Sequence, residues 1–294
     1  MIEFFLFLPQ MRMSMDELAD RARGAEAAGF HGVALMDHLA PPLAEDKPMY
    51  EAMSSAMWLA ARTSTLKISH LVLCDALRAP AILAREAVAI DHASGGRFEL
   101  GIGAGSVVAE FASFGIPNPG RAARLRRLVE TLDVLRLLWT GESVDYDGEF
   151  HHLRGAQQVP APLSRVPILV GGQSDAIVRA AATYADWWNL PLISIDLMDE
   201  LQPRVRPART SLQVMVGYVP SEAERTATVQ LAERRFGHMS GSGFMIGDAA
   251  ELQAHFAGLH ERGVDRFYTW FSDFARDETL EAFGREVIGT LNRM

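Results

Sequence analysis

The sequence contains a single cysteine, Cys74, in 294 residues. One thiol excludes an internal disulfide framework and a thiolate metal cluster, and it makes a reducing cytoplasm the expected compartment. Positive charge is also in short supply: 28 Lys and Arg against 37 Asp and Glu give a net charge of -9. Nucleic acid and anionic membrane surfaces would repel such a chain and are not expected partners. A phosphorylated small molecule held at a local site stays open. No apolar run approaches the roughly 18 residues of a membrane span. The opening MIEFFLFLPQ carries Glu3 and has no basic flank, so it reads as a buried first strand and not as a secretory signal. His151, His152, His238, His255 and His260 lack a shared ligand spacing such as H-E-x-x-H, so no metal site is expected.

What the chain does have is alternation. Short apolar runs at 2–8, 32–36, 67–74, 98–102, 167–170, 185–192, 211–219 and 264–270 read as eight strands. Helical signals separate most of them. Ser14 with Glu17 and Asp248 with Glu251 are capping boxes, Pro80 suits a first helical turn, and Leu125, Leu128, Leu132 and Leu135 fall at helical spacing. The run DYDGEF suggests a small hairpin through Asp147-Gly148. No low-complexity tract or linker interrupts the pattern. The expected fold is therefore α/β, a single (β/α)8 TIM barrel spanning residues 1–294, with an open doubly wound sheet as the alternative.

In such a barrel the chemistry sits at the C-terminal ends of the strands. Three stretches stand there. The fourth strand empties into GIGAG at 101–105, which fails the dinucleotide fingerprint because Ser106 stands where the third glycine is needed. His38, with Asp37 beside it, follows the second strand. Neighbouring residues on an extended chain point to opposite sides, so one of the two is expected to face the site. Gly171, Gly172, Gln173 and Ser174 end the fifth strand and begin a helix, where amides can hold an anion and Ser174 can cap the helix or touch a phosphate. Cys74 has no histidine nearby in sequence, so a structural thiol is expected instead of a nucleophile.

Taken in order, the segments GFHGVALMDHL (29–39), the stretch from VLCDALRAP to GIGAG (72–105), EFASFGIP (110–117), LVETLDVLRLLWTGESVDYDGEFHHL (128–153) and VPILVGGQSDAIVRAAATYADWWN (166–189) resemble the bacterial luciferase-like superfamily of flavin- and deazaflavin-dependent oxidoreductases. The resemblance implies a luciferase-like barrel with coenzyme F420 or FMN at its mouth and a small organic substrate beside it. F420 hydride transfer is slightly favoured over FMN-dependent monooxygenation, and a homodimer is the family's usual assembly. His38 matches the family's catalytic histidine, with Asp37 next to the coenzyme. The end of strand three matches the place where the family backs the ring with a backbone bulge, often a non-proline cis peptide. Leu71, Val72, Cys74 and Asp75 thus become expected coenzyme contacts, together with Gly103, Gly105 and Ser106. Gly171–Ser174 would hold the coenzyme's phosphate and tail. Ser106 and Pro42 replace the Glu and Trp of the family's F420-dependent glucose-6-phosphate dehydrogenases, and Ala104 replaces luciferase's phosphate-contacting Arg. These departures point away from both of those activities. A non-catalytic flavin-binding protein of the same fold is the alternative function.

Overall fold

A computed structural model describes residues 1–42, 47–190, 192–237 and 244–293. Eight strands carry the architecture: β1 (Glu3–Phe7), β2 (Gly32–Leu35), β3 (Lys67–His70, resumed at Leu73–Cys74), β4 (Leu100–Gly103), β5 (Ile168–Gly171), β6 (Trp187–Leu190), β7 (Arg209–Tyr218) and β8 (Val264–Phe271). Every neighbouring pair is parallel, from β3 through β2, β1, β8, β7, β6 and β5 to β4. The circle closes through the Ile68–Phe98 bridge and through Leu73–Cys74 lying along β4. All eight apolar runs are therefore barrel strands.

The reason they are apolar throughout is that both faces are covered. Phe5, Phe7, Ala34, Met36, Leu169, Trp187 and Tyr268 turn inward and fill the barrel. Phe4, Leu6, Val33, Leu35 and Val170 turn outward into the larger core beneath the helices. Local signals set where the helices begin. Helix α1 (Met15–Ala27) has the complete Ser14–Glu17 capping box, and α2 is Ala52–Ala60. Helix α3 (Pro80–Ser94) opens on its proline and closes on left-handed Gly95, φ 68°. Two helices follow β4, a short α4 (Val108–Ser113) and the long α5 (Arg121–Leu138), and α6 is Asp175–Tyr184. The hairpin pairs Val144–Asp147 with His152–Ala156. Elements without a clear sequence signal include the short helix Met198–Leu201, the helix Arg225–Phe236 and the strand Phe244–Gly247 that extends the outer end of β7.

The N-terminal end of the barrel is plugged by charge. Arg266 is fully buried and sits between the Trp187 and Phe5 rings, 3.7 and 4.1 Å from their centroids. It donates to Glu3 at 2.6 Å and to Glu99 at 2.5 Å, and Lys67 adds a contact to Glu99 at 3.1 Å. No described helix is long and apolar enough to cross a membrane.

Candidate active site

The C-terminal mouth holds a cavity of about 800 Å³, within the range of roughly 300–1,000 Å³ typical of small-molecule sites. Its floor comes from an irregularity in β3. Between His70 and Leu73 the strand leaves its regular path, and the Leu71–Val72 peptide is cis. This kink explains the glycines of GIGAG one by one. A Cβ on Gly101 would overlap the His70 carbonyl, one on Gly103 would lie 2.9 Å from the Val72 side chain, and one on Gly105 would lie 2.5 Å from Cys74 Sγ. On the next strand, a Cβ on Gly171 would lie 3.0 Å from Val72. The glycines therefore make room first for the kinked neighbouring strand, and Val72 then presents an apolar floor to the cavity.

Asp37 pins this arrangement. Its carboxylate accepts the Cys74 amide at 2.7 Å and both ends of the Arg78 guanidinium, at 2.5 and 3.0 Å. Arg78 also reaches Glu51 at 2.7 Å. Asp37 is at the cavity wall, but its oxygens are already committed to holding the bulge. Burial, reinforced by Asp37, pushes the Cys74 thiol up to about 11, so it is protonated and inert at neutral pH.

His38 lines the cavity as well, so the strand alternation did not separate it from Asp37. Its Nδ1 lies 2.9 Å from Glu110 Oε1 on α4, and the second Glu110 oxygen is 3.5 Å from the Leu39 amide. Across the cavity, Ser174 occupies the N-cap of α6 in extended backbone, but its hydroxyl makes no bond to the helix's own amides. The capping role is thus unrealised, and Ser174 lines the cavity together with Gly172 and Gln173. Arg124 of α5 is buried and tied to the Ala104 carbonyl at 3.1 Å and to Asn118 at 2.5 Å. Asn189 and Gln213 close the side formed by β6 and β7.

Leu71, Val72, Cys74, Gly103, Gly105, Ser106 and Gly171–Ser174 therefore surround one cavity with Asp37 and His38. Asp75 does not join them. It turns away from the mouth, is buried, and pairs with Arg127 on α5, which makes it a support for the strand end and not a contact. Glu110, Arg124, Asn189 and Gln213 were not anticipated. The trace of Glu110 in the sequence was slight: it is the only charge in VAEFAS, which becomes α4. Among the described residues no group of three or more His, Cys, Asp or Glu could hold a metal, and His238 lies outside those residues.

Residues 2–270 match the family described as luciferase-like monooxygenase. An uncharacterized protein of Mycobacterium tuberculosis is 32% identical over 204 residues, covering 64% of this chain and 69% of that one. The F420-dependent glucose-6-phosphate dehydrogenase of Nakamurella multipartita is 33% identical over 174 residues, 58% of this chain and 50% of the relative. The match to that enzyme thus spans about half of its length. Among solved structures, an F420-dependent secondary alcohol dehydrogenase in complex with an F420-acetone adduct superposes with a TM-score of 0.83 at 19% identity, covering 99% of both chains. A monooxygenase from Streptomyces bottropensis also gives 0.83, at 20% identity and 98% and 99% coverage. At these identities the likeness is one of fold.

Proposed function

The chain belongs to the luciferase-like monooxygenase family, and from that premise we propose that it is an F420-dependent oxidoreductase acting on a small organic substrate. The observation that carries the reading is the convergence of the β3 floor, the open start of α6 and His38 on one cavity. That cavity suits a coenzyme with a flat ring and a phosphorylated tail. Val72 offers an apolar surface to a ring face, while the Gly172–Ser174 turn and the first amides of α6 suit a phosphate. F420 would supply hydride transfer; FMN, in its place, would supply oxygen activation. F420 is preferred because several relatives of assigned activity at 30–33% identity are F420-dependent glucose-6-phosphate dehydrogenases.

The chain's own contribution is orientation and proton exchange. The floor and the α6 turn fix the coenzyme, Asp37 keeps the floor in register, and His38 exchanges the proton that accompanies hydride movement at the substrate. A single unit over residues 1–294, paired as a cytoplasmic homodimer, completes the proposal.

His38→Ala tests it. Coenzyme affinity should stay within about 3-fold of wild type, while turnover on a panel of organic substrates falls by about 10²–10⁴, the usual share of general acid–base catalysis. Equal losses in both would reduce His38 to a coenzyme anchor. Coenzyme binding without turnover by the wild type on any substrate would favour the non-catalytic reading.

A further inference from the structure

We propose that Glu110 is a positioning residue that holds the neutral His38 ring with its proton on Nδ1, leaving Nε2 as a bare acceptor in the cavity. The 2.9 Å Nδ1–Oε1 contact is partly shielded, the imidazole being 21% and the carboxylate 12% exposed. Solvent screening of the kind that empties surface pairs of their value is therefore reduced. An ionised carboxylate can only accept, so the nitrogen facing it must donate. Neutral imidazole has one N–H, and committing it at Nδ1 leaves the far nitrogen as the acceptor. Nε2 has no hydrogen-bond partner among the described residues.

The other charged groups around the cavity are engaged elsewhere or stand on another wall. Asp37 faces Arg78, and Arg124 is tied to Ala104 and Asn118. Arg121 lines the cavity from the start of α5. Glu110 is thus the carboxylate that meets His38 among the described residues. Its second oxygen, 3.5 Å from the Leu39 amide, places the chain after β2 against α4 as well. The consequence is directional. Neutral His38 takes a proton or a hydrogen bond from substrate at Nε2 while its Nδ1–H stays on Glu110.

This role serves the oxidoreductase reading, but its test needs neither coenzyme nor substrate. The full-length protein labelled with ¹⁵N-histidine reports the tautomer of each ring by NMR, and His38 is assigned by loss of its signals in His38→Gln. Neutral His38 should carry its proton on Nδ1 in the wild type. Glu110→Gln keeps an acceptor oxygen and should keep that tautomer. Glu110→Ala should shift the tautomer ratio toward Nε2–H by about 10-fold or more, the scale of one hydrogen bond to a charged group, and Glu110→Asp should restore part of it. Circular dichroism confirms folding of each variant. A wild-type His38 protonated at Nε2, or a ratio unchanged in folded Glu110→Ala, overturns the proposal. Failure to bind either F420 or FMN would instead overturn the oxidoreductase reading and leave this one standing.

Discussion

Replacing Gly103 with alanine asks whether the strand-four glycines are made for a ligand or for Val72. A Cβ at this position would stand 2.9 Å from Val72 Cγ2, closer than the ordinary 3.4–4 Å contact, and 3.4 Å from the Gly171 carbonyl oxygen. Gly103 is not in the left-handed region, so the cost is one of crowding alone. Overpacking of this kind costs about 1–3 kcal/mol. Removing the two methyls of half-buried Val72 costs about 1 kcal/mol by itself. With Val72→Ala in place the new Cβ has space, and Gly103→Ala should become nearly neutral, because alanine restricts the unfolded chain more than glycine does. The coupling between the two substitutions should then be about 1–2 kcal/mol, well outside the about 0.3–0.5 kcal/mol within which independent sites add. Urea unfolding of the four proteins in the double-mutant cycle measures it, provided their m-values agree. Additive costs would refute the idea that Val72 dictates this glycine.

Two further outcomes follow from buried charge. Arg266→Met leaves buried Glu99 with partly exposed Lys67 as its remaining cation, and urea unfolding should show a loss of about 3 kcal/mol, the lower end for breaking a buried pair; a loss under 1 kcal/mol would contradict the view of this ion cluster as the barrel's polar plug. His70 is fully buried and donates to the Ala52 carbonyl at 3.2 Å, and burial pushes its pKa from 6.5 down to about 4. The folded pKa is lowered, so the unfolded chain binds this proton first, and stability falls as pH drops from about 6.5 to about 4, by about 3 kcal/mol in total. His70→Gln should flatten that stretch of the stability curve, and an unchanged slope would show that His70 does not titrate there.

The fold was legible because its signals are local. Each buried strand announces itself as an apolar run, and the capping boxes at Ser14 and Asp248 act over three residues. The strand Phe244–Gly247 is buried at only alternate positions, and its identity comes from pairing with β7. The site was legible where chain order alone places a residue at a strand end, as with His38 and Gly171–Ser174. It was not legible where two distant segments must meet. Glu110 reaches His38 from 72 positions away, and nothing in VAEFAS says which wall its carboxylate will face. Asp75 lies outside the cavity lining for the reverse reason. Sitting one residue beyond Cys74, it points to the opposite side, where Arg127 neutralises it. The glycines of GIGAG were visible from the start, but their reason lies on the neighbouring strand, in His70, Val72 and Cys74.

A flavin-type coenzyme is proposed to sit in the cavity over Val72. Fluorescence titration of the purified chain with F420 and, separately, with FMN tests it directly. Saturable binding of one F420 per chain is the expected result, and preference for FMN would move the chemistry to oxygen-dependent turnover within the same site. A folded chain that binds neither coenzyme contradicts the account.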